Sequence, residues 1–210
     1  FFFQAEAGIR DYKVTGVQTC ALPIFICWDA HYTTVDLAEV QPAGITRTTV
    51  APTQPAPLVT ALDVLEHVLD DVSFVRDAVR PVVAEGGLLV VSVPAHPLLF
   101  TSHDTALGHH RRHTMRTLRA LLEPHFEIVQ SGSLFTSLLV PRALSALTER
   151  VRPPHGEPST DSEWRHGRLL TSSVTAVLRV DAAIGRWCAK RRIPLPGLSV
   201  WAVCRPRGAQ

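Results

Sequence analysis

Short apolar runs that stop abruptly at a polar residue or a proline recur along this chain, and segments with helical spacing separate them. Residues 58–62 and 88–93 are the clearest of these runs, and Pro94 ends the second. Runs of this length that are apolar on both faces are typical of buried parallel strands. Strands that alternate with helices predict an α/β fold, in which helices cover both faces of a mostly parallel sheet.

Weaker patterns complete the predicted sheet. Residues 25–29 form a short apolar run that ends in an acid, and residues 45–50 alternate as an edge strand does. Residues 126–129 and 199–204 are further strand candidates, the second being the last in the chain. The pair Gly86-Gly87 predicts a turn before the run at 88–93.

Three amphipathic helices are predicted between these strands. Asp70 or Asp71 is suited to cap the first helix, and Thr114 the second. The expected apolar stripes are Val68, Val72, Val75, Val79 and Val82; Met115, Leu118, Leu121 and Leu122; and Leu170, Val174, Val177, Ile184 and Cys188. Residues 95–113 are predicted to be a long loop rich in histidine, and residues 151–166 a mobile polar segment.

Composition narrows the class of protein. With 210 residues, of which 46% are hydrophobic and 19% charged, the chain can bury the core of one domain. A formal net charge of +2 gives no reason to expect a nucleic-acid partner. No run of about 18 apolar residues is free of charge and proline, so an integral membrane segment is not expected. The four cysteines form no CxxC pair, which favours reduced thiols and a cytoplasmic location.

The first 24 residues resemble the in-frame translation of a sequencing-library adapter. Residues 14–24 match the adapter codons throughout, and residues 4–11 match apart from Ala7. We therefore expect residues 1–24 to be a non-native segment and residues 25–210 to be the biological domain.

Polar side chains follow three of the predicted strands, where an open parallel sheet binds its ligand. They are Asp29 after the first run, Asp63, Glu66 and His67 after the run at 58–62, and His96, His103 and Asp104 after the run at 88–93. An acid in the position of Asp29 accepts hydrogen bonds from both hydroxyls of a ribose, or else caps a helix. A histidine such as His67 is either a proton acceptor or a packed core residue.

The stretch HDTALGHHRRH at residues 103–113 is dense in histidine. His109 and His113 have the i, i+4 spacing that binds zinc on a helix. No HExxH motif is present, and Arg111 and Arg112 between them repel a cation, so no metal site is predicted here. Each arginine is suited to pair with a carboxylate or phosphate of a substrate, or with an acid of the fold.

Four stretches together resemble the class I S-adenosylmethionine-dependent methyltransferases. They are LVTALDVLEHVLDD at residues 58–71, the run GGLLVVSVPAHPLLFTSHD at 86–104, LGHHRRHT at 107–114 and PGLSVWAV at 196–203. The third is similar to the family's H-Y-R-R-Y-T stretch, with His110 and His113 in place of the two tyrosines. The resemblance covers residues 25–205 and implies a Rossmann-like sheet, mostly parallel, whose last strand is antiparallel.

The resemblance also implies a cofactor, S-adenosylmethionine, and a small-molecule methyl acceptor. Asp29 then matches the acid that holds the ribose, and Leu62 and Asp63 lie near the methionine end of the cofactor. His67 and His103 are the candidate catalytic bases. Asp104, His109 and Arg112 are the candidate acceptor-binding residues.

The chain departs from the family in its first strand. The Gly-rich motif E/D-x-G-x-G-x-G is absent from the sequence, although it is expected before Phe25. We therefore expect an N-terminally truncated domain that lacks strand one in the middle of its sheet and is unstable or inactive. Two alternatives stay open: an NAD(P)-dependent oxidoreductase, disfavoured because no Tyr-x-x-x-Lys pair is present, and a non-catalytic domain of the same fold.

Overall fold

A computed structural model describes residues 2–3, 32–35, 45–48, 54–152 and 168–208. Within these ranges seven strands form one sheet in the order β3-β2-β1-β4-β5-β7-β6. The strands are β1 (Phe2–Phe3), β2 (Tyr32–Val35), β3 (Ile45–Thr48), β4 (Ala56–Leu62), β5 (Val83–Pro94), β6 (Phe126–Leu134) and β7 (Ser199–Pro206). The first five strands of this order, from β3 through β2, β1 and β4 to β5, pair in parallel. Strand β7 runs antiparallel to both β5 and β6. The predicted fold class, a mostly parallel Rossmann-like sheet with an antiparallel last strand, is confirmed.

The middle of the sheet is occupied by β1, where the sequence predicts that strand one is missing. Phe2 and Phe3 pair in parallel with Thr34 and Val35 of β2 on one side. On the other side the same two residues pair with positions 60 and 61 of β4. The glycine-rich motif expected after this strand is still absent from the sequence. The strand predicted at 25–29 lies outside the described residues.

The central pair of strands, β4 and β5, is longer and less regular than the sequence predicts. Leu58 to Leu62 pair in register with Leu88 to Ser92, but the register shifts just before Leu58. The predicted turn at Gly86 and Gly87 lies within β5 at this irregularity. Gly86 has a φ of 77°, and a Cβ on Gly87 would lie 2.9 Å from the Ala84 carbonyl oxygen. Only glycine fits both conditions, so the pair shapes a bulge in a continuous strand.

Helices and short helical turns connect the strands. The helices are α1 (Asp71–Phe74), α2 (Arg80–Val82), α3 (Ser102–Ala106), α4 (Met115–Leu122), α5 (Leu139–Val151) and α6 (Arg168–Lys190). A π-helical turn, Val75–Val79, joins α1 to α2, and 3₁₀ turns lie at Leu65–His67, Pro97–Leu99 and Thr136–Leu138. Helix α3 and the turn before it lie in the stretch predicted to be a loop. Among the described helices, none is long and apolar enough to cross a membrane.

The two predicted helix caps are confirmed. The Asp70 carboxylate accepts a hydrogen bond from the Ser73 backbone N–H at 3.0 Å, and the Thr114 hydroxyl accepts one from the Thr117 N–H at 3.1 Å. The predicted valine stripe is only partly buried, because Val72 is 56% exposed. Val72 lies in the first turn of α1, whereas Val75, Val79 and Val82 of the stripe are buried.

The core lies between the sheet and the helices that precede β5 and β6. Its fully buried side chains include Val59, Leu89, Val91, Leu118, Leu122 and Phe126. The apolar face predicted for α4 is therefore confirmed at Leu118, Leu121 and Leu122, and Met115 packs partly against the same core.

The predicted buried face of α6 is confirmed only at Cys188, which is buried. Leu170, Val177 and Ile184 of the same apolar stripe are about half exposed, whereas Asp181, outside the stripe, is buried. The helix packs through small residues instead: a Cβ on Gly185 would lie 3.1 Å from the Ser133 carbonyl oxygen of β6. Helix and sheet approach so closely there that branched side chains are excluded from the contact.

Candidate active site

The carboxyl ends of β4 and β5 meet at Asp63. This residue has a φ of 53°, a left-handed backbone conformation that few residues adopt apart from glycine, asparagine and aspartate. Its backbone N–H donates to the Ser92 carbonyl at 2.9 Å, and the Ser92 hydroxyl donates to Oδ1 of Asp63 at 3.3 Å. Burial raises the pKa of Asp63, while the Ser92 hydrogen bond opposes the rise. The conformation places a carboxyl group where open parallel sheets bind ligands.

The 3₁₀ turn Leu65–His67 follows directly and carries a second acid. Glu66 is fully buried, and neither of its carboxylate oxygens has a hydrogen-bond partner among the described residues. Burial raises the pKa of Glu66 well above its usual value, and the nearby Asp63 carboxyl raises it further. An unpaired buried carboxylate is unfavourable in its charged form, so this acid needs either a proton or a cation.

The histidine-rich loop after α3 is tied to the same sheet edge by its backbone. The His110 N–H donates to the Glu66 carbonyl at 2.7 Å, and the His113 N–H donates to the Pro94 carbonyl at 2.9 Å. These bonds bring His109 against His67, with the two rings edge to face and their centroids 4.6 Å apart. The structure thus joins two predicted site residues that are far apart in sequence.

His67 is a poor proton acceptor in this setting. Burial and the neighbouring His109 together lower its pKa to about 4, although the Gly108 backbone opposes the shift. Its Nδ1 has no hydrogen-bond partner among the described residues. The ring is therefore neutral at pH 7 and presents an unused nitrogen lone pair.

A second buried acid, Asp104, lies on the other side of His109. Its Oδ1 lies 3.0 Å from Nδ1 of His109 and accepts from Nε of Arg112 at 2.8 Å. Its Oδ2 accepts from Arg142 at 2.8 Å and from the Thr101 N–H at 3.0 Å. Burial alone would raise the pKa of Asp104, but the hydrogen bonds from His109 and Arg112 outweigh it and hold the pKa well below its usual value. This carboxylate is charged and fully neutralised by the fold.

The other predicted site residues that the structure describes lie on α3, at the end of β4 and in the loop after α3. His103 is exposed on α3, and burial of part of its ring lowers its pKa. Leu62 is half-buried at the end of β4. Arg112 is 6% exposed and bound to Asp104, with a further bond to the Ala95 carbonyl at 3.1 Å. Asp29 lies outside the described residues.

The histidine pair considered for zinc from its spacing, His109 and His113, is not brought together on a helix. Nε2 of His113 lies 3.8 Å from Asp71, and Arg111 forms an ion pair with the same carboxylate at 3.0 Å. The arginines expected to repel a cation are thus paired with Asp71 and Asp104.

Glu66 is the important residue that the site prediction leaves out. The sequence places it after the strand at 58–62, yet its neighbours Leu65 and Val64 are apolar and also buried. An acid that directly follows two apolar residues in a turn indicates a buried carboxyl group, and the sequence contains this pattern. Only the structure shows that it faces His67 and His109.

Comparison with known proteins places the fold in context. No protein-family model matches the chain, and the search of curated proteins found no match. Among solved structures, the chain is similar to an S-adenosylmethionine-dependent methyltransferase from Mesorhizobium loti, at 16% identity and a TM-score of 0.42, over 84% of this chain and 81% of that one. It is also similar to phosphoethanolamine N-methyltransferase 2 of Haemonchus contortus in complex with S-adenosyl-L-methionine, at 12% identity and a TM-score of 0.44, over 86% of this chain and 44% of that one.

Proposed function

We propose that this chain belongs to an enzyme that transfers a methyl group from S-adenosylmethionine to a small-molecule acceptor. The main support is the acidic sheet edge at Asp63 and Glu66, in a mostly parallel sheet whose last strand is antiparallel, as the four family-like stretches imply. Burial raises the pKa of both acids, and the Asp63 carboxyl raises that of Glu66 further. A cationic ligand relieves that repulsion, and the cofactor carries its positive charge on sulfur.

The chemistry asks little of the protein beyond alignment. The bound cofactor supplies a methyl carbon attached to a sulfur that leaves as a neutral thioether. The protein would hold the acceptor's nucleophilic atom in line with that methyl carbon. A residue near the acceptor then takes the acceptor's proton, for which His67 and His103 are the candidates.

The two histidines differ as proton acceptors. His67 faces the acidic edge, but a pKa of about 4 makes its neutral ring a weak base. His103 is exposed on α3 and so is accessible to an acceptor, and partial burial of its ring lowers its pKa. We assign His103 the larger share of proton transfer, with Asp104 and Arg112 positioning His109 rather than contacting the acceptor.

The residues that fit the cofactor are those at the end of β4. Leu62 and Asp63 are suited to hold its methionine end, and Asp29 its ribose. The chain has no pair of glycines separated by one residue, which the family uses for close backbone approach. We therefore propose that the 210-residue chain binds the cofactor weakly and has little or no activity.

Equilibrium dialysis of the folded chain with radiolabelled S-adenosylmethionine tests this proposal. We expect saturable binding weaker than micromolar, reduced further in Asp63→Ala but not in Asp77→Ala, which alters an exposed acid. Equal binding by both variants, or preferential binding of NADH, would contradict the cofactor assignment. The base assignment is tested by adding His103→Ala to a chain that carries the family's glycine motif: we expect turnover to fall while cofactor binding is unchanged.

A further inference from the structure

Unsatisfied polar atoms are concentrated at one place in the structure. Among the described residues, four buried side-chain atoms lack a hydrogen-bond partner, and three of them belong to Glu66 and His67. Both oxygens of Glu66 are included, although the side chain is fully buried. Buried polar groups in folded proteins are nearly always paired, so a cluster of unpaired atoms indicates a missing ligand.

A third donor completes the cluster. Nδ1 of His109 is engaged by Asp104 at 3.0 Å, which leaves Nε2 as the nitrogen available to a ligand. One ligand atom from each of Glu66, His67 and His109 lies within 4.8 Å of the other two. An ion with bonds of about 2.0–2.2 Å spaces its ligands about 3–4 Å apart, so small side-chain rotations close the site.

We propose that Glu66, His67 and His109 bind a divalent first-row transition-metal ion. Two imidazoles and one carboxylate are a donor set that suits Zn²⁺, Fe²⁺ or Co²⁺. The contact between Asp104 and His109 is the outer-shell arrangement that fixes the tautomer of a metal-binding histidine and raises its basicity.

The surrounding charges favour a cation. The same sheet edge carries a second acid, Asp63, whose carboxylate accepts a hydrogen bond from the neutral Ser92 hydroxyl rather than from a cation. Arg112 is the nearby positive charge, and its guanidinium is paired with Asp104. A divalent ion supplies the charge that Glu66 lacks.

The metal proposal does not depend on methyl transfer. It concerns only three side chains and is tested with the metal alone, in the absence of S-adenosylmethionine. If both proposals hold, the lone pair of His67 is used in coordination and cannot accept a proton, which leaves His103 as the base. Three protein ligands also leave coordination positions for an oxygen of the acceptor.

The test uses the full chain without a histidine tag. Co²⁺ is titrated and followed by its visible absorption, and Zn²⁺ is titrated by calorimetry and by thermal unfolding. We expect one ion per chain, and an unfolding temperature that rises with metal concentration. Failure of the wild-type chain to bind either ion while its circular-dichroism spectrum shows folded protein would overturn the proposal.

Three variants separate this site from adventitious binding. Glu66→Gln and His67→Ala are expected to weaken metal binding by more than the roughly 10–100-fold that outer-shell changes produce. His110→Gln removes an exposed histidine of the same loop and is expected to leave affinity and stoichiometry unchanged. Equal loss in His110→Gln, or none in the first two, would overturn the proposal.

The stability of Glu66→Gln also shows whether a loss of metal binding is caused by misfolding. Because it removes an unpaired buried acid, this variant should unfold at a temperature equal to or above that of the metal-free wild type, while losing the metal-induced rise. A variant that keeps the metal-induced rise in full would show that Glu66 is not a ligand.

Discussion

Two buried acids on either side of His109 have opposite environments. Asp104 and Glu66 are both fully buried, but Asp104 accepts hydrogen bonds from two arginines and Thr101, whereas the Glu66 carboxylate has no partner among the described residues. The pKa of Asp104 is accordingly lowered and that of Glu66 raised. The hydrogen-bond partners of these two buried carboxyl groups, and not how deeply they are buried, therefore determine their charge.

The difference separates a structural acid from a functional one. Every oxygen of Asp104 is used within the protein, so it has no capacity left for a ligand. Glu66 has its full capacity left and lies in the turn that follows the carboxyl end of β4. The predictions below test this division.

Replacing Asp104 by Ala should have the largest effect on stability. The change leaves Arg112 and Arg142 partly or fully buried without their counter-ion, which typically costs about 3–5 kcal/mol. Urea unfolding followed by circular dichroism measures the loss. Asp77→Ala, which breaks an exposed ion pair with Arg76, is the control, and an equal loss in both would show that Asp104 does not stabilise the fold.

The same acid should dominate the acid side of the stability profile. Because the folded pKa of Asp104 is depressed, its contribution is present above the unfolded pKa of about 3.9 and is lost as pH falls through the folded value. Unfolding free energies measured between pH 2 and pH 7 should therefore fall steeply in the wild type below about pH 4. In Asp104→Asn this fall should be shallower; identical slopes would contradict the assignment.

Replacing Glu66 by Gln should act in the opposite direction and more weakly. A carboxyl group with a raised folded pKa contributes stability below its unfolded pKa of about 4.3 and loses it as pH rises. Removing the charge should therefore raise the unfolding free energy of the metal-free protein by about 1–3 kcal/mol at pH 8. At pH 4 the two proteins should be equally stable, and a destabilised variant at pH 8 would count against an unpaired Glu66.

Thr101→Val should give the smallest change. The Thr101 hydroxyl donates to Asp104 at 3.3 Å and accepts from Arg142 at 2.6 Å, while its backbone N–H bond to Asp104 is kept in the variant. The expected loss is about 1 kcal/mol in urea unfolding. A loss as large as that of Asp104→Ala would show that the hydroxyl, and not the charge pairing, holds the network together.

Local patterns predict much of the fold. Short apolar runs identify β4, β5 and β7, and the caps at Asp70 and Thr114 are predicted from single residues and their spacing. The buried face of α6 is missed because close packing at Gly185 excludes the apolar stripe that the spacing highlights. Hydrophobic periodicity identifies a helix, but not which face the sheet can approach.

Local sequence patterns also predict part of the site. Asp63 and His67 follow from their place after a strand. The roles of Asp104 and Arg112 do not, because one partner of Asp104, Arg142, lies 38 residues away in sequence. Such long-range pairing arises from tertiary packing, and residue types within the histidine-rich stretch cannot reveal it.

Arg142 has a mechanical consequence. It belongs to α5, whose outward side chains include the exposed Val140 and Leu144, while its guanidinium reaches inward to Asp104. Helix α5 cannot move away from α3 without withdrawing a counter-ion from the acid that contacts His109. The exposed outer face of α5 and the imidazole ring of His109 are thereby linked through the Arg142 side chain and Asp104.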